Sequence, residues 1–270
     1  MTVFQVTLPD GGHLNAALDG PEDAEVIVFA NSVMTDLGVW DAQVAAFGAT
    51  HRVLRFDQRG HGGSSLPDGP MRFEQYGADI IALLDHLDIK RCTFVGLSMG
   101  VPSGLAAHAI DPARFARFVV VDGICKSAPA RVAFWTERRE TALAQGMQVI
   151  AEQTAKNWLP GVATHDPKAA QLRAMIAATP AGGFAAATHA LASYDLSAVV
   201  ETLTCPLLGL AGALDGAMPS AVPAQFAAAP DARFATVPQA GHIPNYQAPE
   251  AFNAALADFL AATTPQKETI

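Results

Sequence analysis

The 270-residue chain is 50% hydrophobic and only 16% charged, enough apolar material for a sizeable core and too much for a disordered chain. Its 17 Lys and Arg against 26 Asp and Glu give a net charge of −9 with no basic run, which excludes a nucleic-acid-binding face. Three cysteines, Cys92, Cys125 and Cys205, lack any C-x-x-C or metal-ligand spacing and read as reduced, buried thiols.

The opening MTVFQVTLPDGG has neither a basic nor a continuous apolar signal region, and the most apolar stretches are too short to span a bilayer. A cytoplasmic protein without a membrane partner is expected. Thr2–Leu8 and His13–Leu18 flank the turn Asp10-Gly11-Gly12 and predict a hairpin. Glu25–Ala30 (EVIVFA) is the apolar run of a strand buried on both faces. A helix over Val39–Phe47 and a strand over Arg52–Phe56 follow. Phe73–Leu87 carries Tyr76, Ile80, Leu83, Leu84 and Leu87 at helical spacing. A strand at Cys92–Leu97, a helix after Ser98 and a strand at Phe118–Val121 complete this part.

From about residue 125 to 203 the β-type runs vanish and helices are predicted over 130–145, 147–158, 167–178 and 182–193. Alternation resumes with a strand at Pro206–Ala211, another around Phe234–Val237 and a helix at Pro249–Leu260. The tail Thr263–Ile270 is polar. Strands alternating with helices predict a mostly parallel central sheet flanked by helices, with antiparallel strands at one edge. The helical block reads as an inserted cap: residues 1–124 and 204–270 form the core domain and 125–203 the cap.

Gly96-Leu97-Ser98-Met99-Gly100 lies between a strand and a helix, the setting of a nucleophile elbow. A serine there is pinned on a tight turn at a helix N-terminus, where developing negative charge is favoured. The hydroxyl needs a base, and His242, in the loop before the last helix, lies at the same sheet edge. Two carboxylates can orient it: Asp215, past the strand 206–211, and Asp122, at the end of the preceding strand. Asp215 is preferred because Ser98…Asp215…His242 follows the hydrolase chain order. His61 reads as a turn residue, and Asp57 as a structural carboxylate pairing near Arg55 or Arg59. For an oxyanion, the backbone N–H of Met99 and of Val33, in the loop Asn31–Thr35, are the expected donors. No H-E-x-x-H or G-x-x-x-x-G-K-[ST] pattern is present, so neither a metal nor a cofactor is expected.

With Arg55-Phe-Asp-Gln-Arg-Gly-His-Gly-Gly-Ser64 and the ordered Ser98, Asp215 and His242 segments, the chain resembles the α/β-hydrolase superfamily over nearly its whole length. Within it, Asn31-Ser32 in place of the usual His-Gly, Thr35-Asp-Leu, Trp40-Asp-Ala-Gln43, Ala82–Ile89 and the segment with Trp135, Arg138 and Gly146-Met147 resemble 3-oxoadipate enol-lactonases. The chain differs at Val101-Pro102, Asp122-Gly123, Leu214 and Ile243-Pro-Asn-Tyr246. The resemblance implies the α/β-hydrolase fold and a small-molecule ester or lactone substrate. An enol-lactone of a dicarboxylic acid carries a free carboxylate. Arg131, Arg138 and Arg139 are the cap cations that could meet it, with Trp135 and Arg138 on one helical face; a solvated helix with Trp135 in the cap core is the competing reading. Trp158 is expected in the cap core. A carboxylesterase, a C–C bond hydrolase, a cofactor-free oxygenase and a non-catalytic receptor are the other activities open at this point, and a homo-oligomer is open as well.

Overall fold

The computed structural model describes residues 3–263. Thr2 of the expected hairpin and residues 264–270 of the expected tail lie outside them. Eight strands form one sheet: β1 (Val3–Thr7), β2 (His13–Asp19), β3 (Val26–Ala30), β4 (Arg52–Phe56), β5 (Cys92–Leu97), β6 (Phe115–Val121), β7 (Leu207–Gly212) and β8 (Ala232–Val237), in spatial order β1-β2-β4-β3-β5-β6-β7-β8. The β1/β2 and β2/β4 pairs are antiparallel and the others parallel. The expected α/β architecture, mostly parallel with an antiparallel edge, is the observed one.

The central strands are apolar throughout because both faces are covered. Along β3, Ile27 and Phe29 join one buried cluster while Val28 and Ala30 join the other. Two helices, α2 (Phe73–His86) and α3 (Gly100–Ile110), pack together. Leu83 and Leu84 of α2 and Leu105 of α3 belong to the Val28 cluster. The other cluster includes Phe47 of α1 (Asp41–Phe47) and Phe252 and Leu256 of α11 (Pro249–Ala262). The expected helix at 39–47 starts with a short 3-10 turn, Leu37–Trp40, before α1.

Between β6 and β7 lie α4 (Arg131–Gln145), α5 (Met147–Trp158), α6 (Pro167–Ala178), α7 (Ala181–Ala192) and the short α8 (Ser197–Glu201). Chain entry and exit meet at a neck: Leu196 N–H donates to Cys125 O at 2.9 Å and Ser127 N–H to Tyr194 O at 3.0 Å. Beyond that neck α8 packs on α3. The inner side of α4–α7 shares the Phe29 cluster through Trp135, Ile150, Leu172 and Phe184. Helices α9 (Met218–Phe226) and α10 (Pro244–Gln247) have no counterpart among the expected elements. The three cysteines are buried and free. Among the described residues no helix is long and apolar enough to cross a membrane.

Candidate active site

Ser98 stands between β5 and α3 with φ 51°, a left-handed backbone that a non-glycine residue adopts only under constraint. The constraint is local crowding. A Cβ on Gly96 would lie 2.6 Å from the Gly100 backbone, and one on Gly100 would lie 2.4 Å from the Ala30 carbonyl oxygen. Both glycines are needed for the turn to close against β3. Ser98 N–H donates to Val121 O at 2.8 Å, tying the turn to the end of β6. Val101 fits because Gly123 faces it without a side chain: a Cβ there would lie 2.4 Å from Val101 Cγ2.

Ser98 Oγ lies 2.9 Å from His242 Nε2, and His242 Nδ1 lies 2.7 Å from Asp215 Oδ2. The Asp215 bond assigns the tautomer: Nδ1–H donates to the carboxylate, leaving Nε2 to accept from the serine hydroxyl. Although burial opposes its charge, the hydrogen bond to His242 helps hold the Asp215 carboxyl below the usual carboxylate range. The two loops are joined through backbone, Leu214 N–H donating to Ala240 O at 2.8 Å. The His242 loop is anchored on its far side, where Asn245 Nδ2 donates to Val39 O at 2.9 Å and Gln43 Nε2 to Asn245 O at 3.1 Å. Asp122, the competing carboxylate, is 1% exposed and takes the Gly212 N–H on both oxygens at 3.0 Å.

The loop carrying Val33 leaves β3 beside the elbow, since Ala30 is registered against Gly96. Among the described residues, neither Val33 N–H nor Met99 N–H donates to a protein acceptor. Gln58, inside the Arg55–Ser64 motif but given no role there, and Ser103, which no motif marks, brace this region. Gln58 Nε2 donates to Asn31 O at 2.6 Å, while Ser103 Oγ lies 2.6 Å from Gln58 Oε1 and 3.0 Å from Met99 O. Met34, in the same loop, has φ 65°.

From above, α4 reaches this loop. Arg138 Nη2 donates to Thr154 Oγ1 at 2.6 Å and lies 4.0 Å from Met34 Sδ, while its buried Nε has no partner among the described residues. Trp135 is 5% exposed, packs edge-on to Phe184 at 6.4 Å and carries an unpartnered Nε1. The Arg131 guanidinium sits 5.3 Å from the Trp135 ring centre, and its charge bears on Asp215. Burial lowers the pKa of both arginines. Trp158, expected in the cap core, lies at the edge of that core with its ring centre 4.9 Å from that of His242. Only the folded chain brings it there, since 84 positions separate the two in sequence.

Asp57 is structural, but its partners differ from those expected. It accepts from Leu37 N at 2.6 Å, Asn15 Nδ2 at 2.7 Å and Gly63 N at 2.9 Å, whereas Arg55 pairs with Asp19 and Asp41, and Arg59 with Asp10 and Asp79. Among the described residues no cluster of His, Cys, Asp and Glu could hold a metal ion.

The pattern of the alpha/beta hydrolase family matches residues 27–255. A 3-oxoadipate enol-lactonase of Acinetobacter baylyi is 37% identical over 248 residues, covering 90% of this chain and 91% of that protein. The crystal structure of an enol-lactonase from Burkholderia xenovorans superposes with a TM-score of 0.89 at 31% identity, over 96% of this chain and 100% of that one. That of a hydrolase from Pseudomonas aeruginosa gives 0.89 at 34% identity, over 96% and 98%.

Proposed function

The chain belongs to the alpha/beta hydrolase family and is a hydrolase enzyme, and from that premise we propose that it is a serine hydrolase opening a small lactone or ester, with a 3-oxoadipate-type enol-lactone as substrate. The observation that carries this reading is the unbroken hydrogen-bonded path from Ser98 Oγ through His242 to Asp215 Oδ2.

In this reading His242 Nε2 takes the proton as Ser98 Oγ attacks the carbonyl carbon, and Asp215 stabilises the imidazolium through Nδ1–H. The unpartnered N–H groups of Val33 and Met99 receive the oxyanion; losing one such donor raises a barrier by about 3 kcal/mol. Collapse of the tetrahedral intermediate breaks the ring C–O bond. The leaving oxygen departs as an enolate, takes the proton from His242, and the enol relaxes to a ketone. Water, deprotonated by His242, then attacks the acyl carbon and returns Ser98 to its free form.

The enol-lactonase relatives support the substrate class. So does Arg138, which reaches Met34 through Nη2 and whose buried Nε has no partner among the described residues; it offers a cation for the ligand's free carboxylate, with Trp135 on the same helical face to pack against the ring. The segment above the neck, about 126–195, then serves as the cap that shapes the pocket, and the described residues outside it, α8 included, as the catalytic core. Three buried free thiols fit a reducing compartment such as the cytoplasm.

The test is steady-state hydrolysis of 3-oxoadipate enol-lactone beside p-nitrophenyl acetate, with Ser98→Ala as control. A kcat/KM for the lactone of about 10⁵ M⁻¹s⁻¹ or above, abolished in Ser98→Ala, supports the whole reading. Turnover of the acetate alone keeps the serine hydrolase and discards the lactone. Undiminished activity in Ser98→Ala overturns the mechanism.

A further inference from the structure

A second carboxyl group lies against the proposed triad without a part in it. Asp122 directly follows β6 in a left-handed conformation, φ 43°, with its N–H donating to Leu210 O at 3.0 Å. The side chain is shut away from water and turned toward the end of β7, where both oxygens take the Gly212 N–H. Asp215, which holds His242, stands on the same turn, its N–H donating to Gly212 O at 3.0 Å, so the two carboxyl groups lie against each other and each bears on the other's charge.

Two carboxylates can share a hydrogen bond only if one of them carries a proton. The surroundings decide which. Asp215 accepts from His242, has the Arg131 charge bearing on it and is 19% exposed. Asp122 meets a single backbone amide and is 1% exposed. Ionising Asp122 would therefore place a second, unscreened anion against Asp215, and ionising Asp215 costs far less. We propose that Asp122 is a neutral carboxylic acid that donates its O–H to Asp215 and fixes that carboxylate beneath His242.

This inference rests on the Ser98–His242–Asp215 reading and deepens it. Asp122 is a positioning residue: it acts through Asp215 and contributes a hydrogen bond without a charge. Were it an anion, it would add to the field on His242 and stabilise the imidazolium even in the resting enzyme. The groups facing the pair are His242 from the loop after β8 and Arg131 from α4. The direction of the proton shift agrees with the geometry. Burial first, then the neighbouring Asp215, pushes the Asp122 carboxyl well above the usual carboxylate range.

The experiment compares Asp122→Asn, Asp122→Ala and Asp215→Asn with p-nitrophenyl acetate across pH. Asparagine matches the acid in shape: its oxygen accepts from Gly212 and its NH₂ donates to Asp215. Asp122→Asn is expected to stay within about threefold of the wild-type kcat, with the acid limb of kcat/KM in place. Asp122→Ala is expected to lose about 10- to 100-fold in kcat at unchanged KM, the usual effect of removing a group that orients a site residue. An acid limb displaced downward by about half a unit or more in Asp122→Asn would show that Asp122 is charged and overturn the proposal. Wild-type kcat in Asp122→Ala would overturn it too. If Asp122→Ala does not fold, the asparagine profile decides. An active Asp215→Asn beside an inactive Asp122→Asn would instead overturn the assignment of Asp215 as the triad acid.

Discussion

Gln58 and Asn31 are joined twice: Gln58 Nε2 donates to the Asn31 carbonyl at 2.6 Å, and Gln58 N–H donates to Asn31 Oδ1 at 3.3 Å. The Gln58 amide oxygen lies 2.6 Å from Ser103 Oγ, which is 3.0 Å from the Met99 carbonyl. One buried side chain thus fixes the loop carrying Val33 relative to the turn carrying Met99. Gln58→Ala leaves Asn31 O and Ser103 Oγ without this partner and lets the two proposed oxyanion donors, Val33 and Met99 N–H, drift apart. Such a variant is expected to lose about tenfold or more in kcat with KM little changed, since the donors act in the transition state. Stability should fall by about 1–3 kcal/mol. An unchanged kcat in a folded Gln58→Ala would remove the bracing role.

Arg138 keeps a buried nitrogen unpaired, a costly arrangement unless something fills it. Arg138→Met preserves much of the stem volume and removes the charge. For the carboxylate-bearing enol-lactone, KM is expected to rise about 10- to 100-fold, the value of a charge-assisted hydrogen bond. The neutral p-nitrophenyl acetate should show a far smaller change. Equal effects on both substrates would mean that Arg138 supports the fold of the cap and does not read the carboxylate.

The parts of this molecule legible in sequence are those where backbone geometry restricts residue choice. The strained turn at Ser98 demands small neighbours, so Gly96 and Gly100 announce it. Strands covered on both faces announce themselves as apolar runs, β5 being buried at every position. Elsewhere the signal is masked. The first half of β6 carries Arg117, buried because it reaches Glu25 at 3.2 Å and the Thr263 carbonyl at 2.9 Å, so the strand reads as starting three residues late. Strand β8 is an edge with four consecutive exposed residues, Arg233–Thr236, and lacks the apolar pattern at its start. Helix α9 contains Pro219 in its first turn and Pro223 inside, which punctuate it out of view. At the site, Ser98, His242 and Asp215 stand in loops whose order is informative. Ser103 and Trp158 are placed by contacts between distant segments, and no local rule marks them; Gln58 stands inside the Arg55–Ser64 motif, yet its role comes from contacts to Asn31 and Ser103 that the motif does not specify.

His61 contributes its own share of the fold's acid sensitivity. It sits fully buried in the turn after β4, Nδ1–H donating to Arg59 O at 3.2 Å and Nε2 without a partner among the described residues. Burial pushes its pKa down to about 4. The folded protein thus keeps it neutral where the unfolded chain, with a value near 6.5, takes up a proton. Stability from this residue is present above pH 6.5 and lost as pH falls toward 4, about 3 kcal/mol over that window. Burial raises the pKa of Asp36, Asp57 and Asp79, which works in the opposite sense, so the clean measure is a difference. Urea unfolding of wild type and His61→Gln at pH 7, 5.5 and 4.5 should show the gap in stability closing as pH falls. Parallel curves would rule out His61 as the acid-sensitive group.

Two adjacent glycines in α7 separate helix propensity from docking of the helical block. A Cβ on Gly183 would lie 2.0 Å from the Gly60 carbonyl oxygen and 2.8 Å from Gly60 Cα, while one on Gly182 meets nothing within 4 Å. The Gly60 backbone belongs to the turn after β4, so at this contact the block rests on core backbone and cannot yield by a rotamer change. Propensity alone predicts that alanine helps at both positions, by up to about 1 kcal/mol. The contact predicts opposite signs. Gly182→Ala should be neutral or stabilising, and Gly183→Ala should destabilise by about 2 kcal/mol or more, the scale of overpacking in a tight contact. Because α7 and α4 pack together, a block lifted at Gly183 also moves Arg138 away from Met34. The lactone KM should then rise in Gly183→Ala and stay put in Gly182→Ala. Two variants of equal stability and equal KM would show that this contact does not seat the helical block.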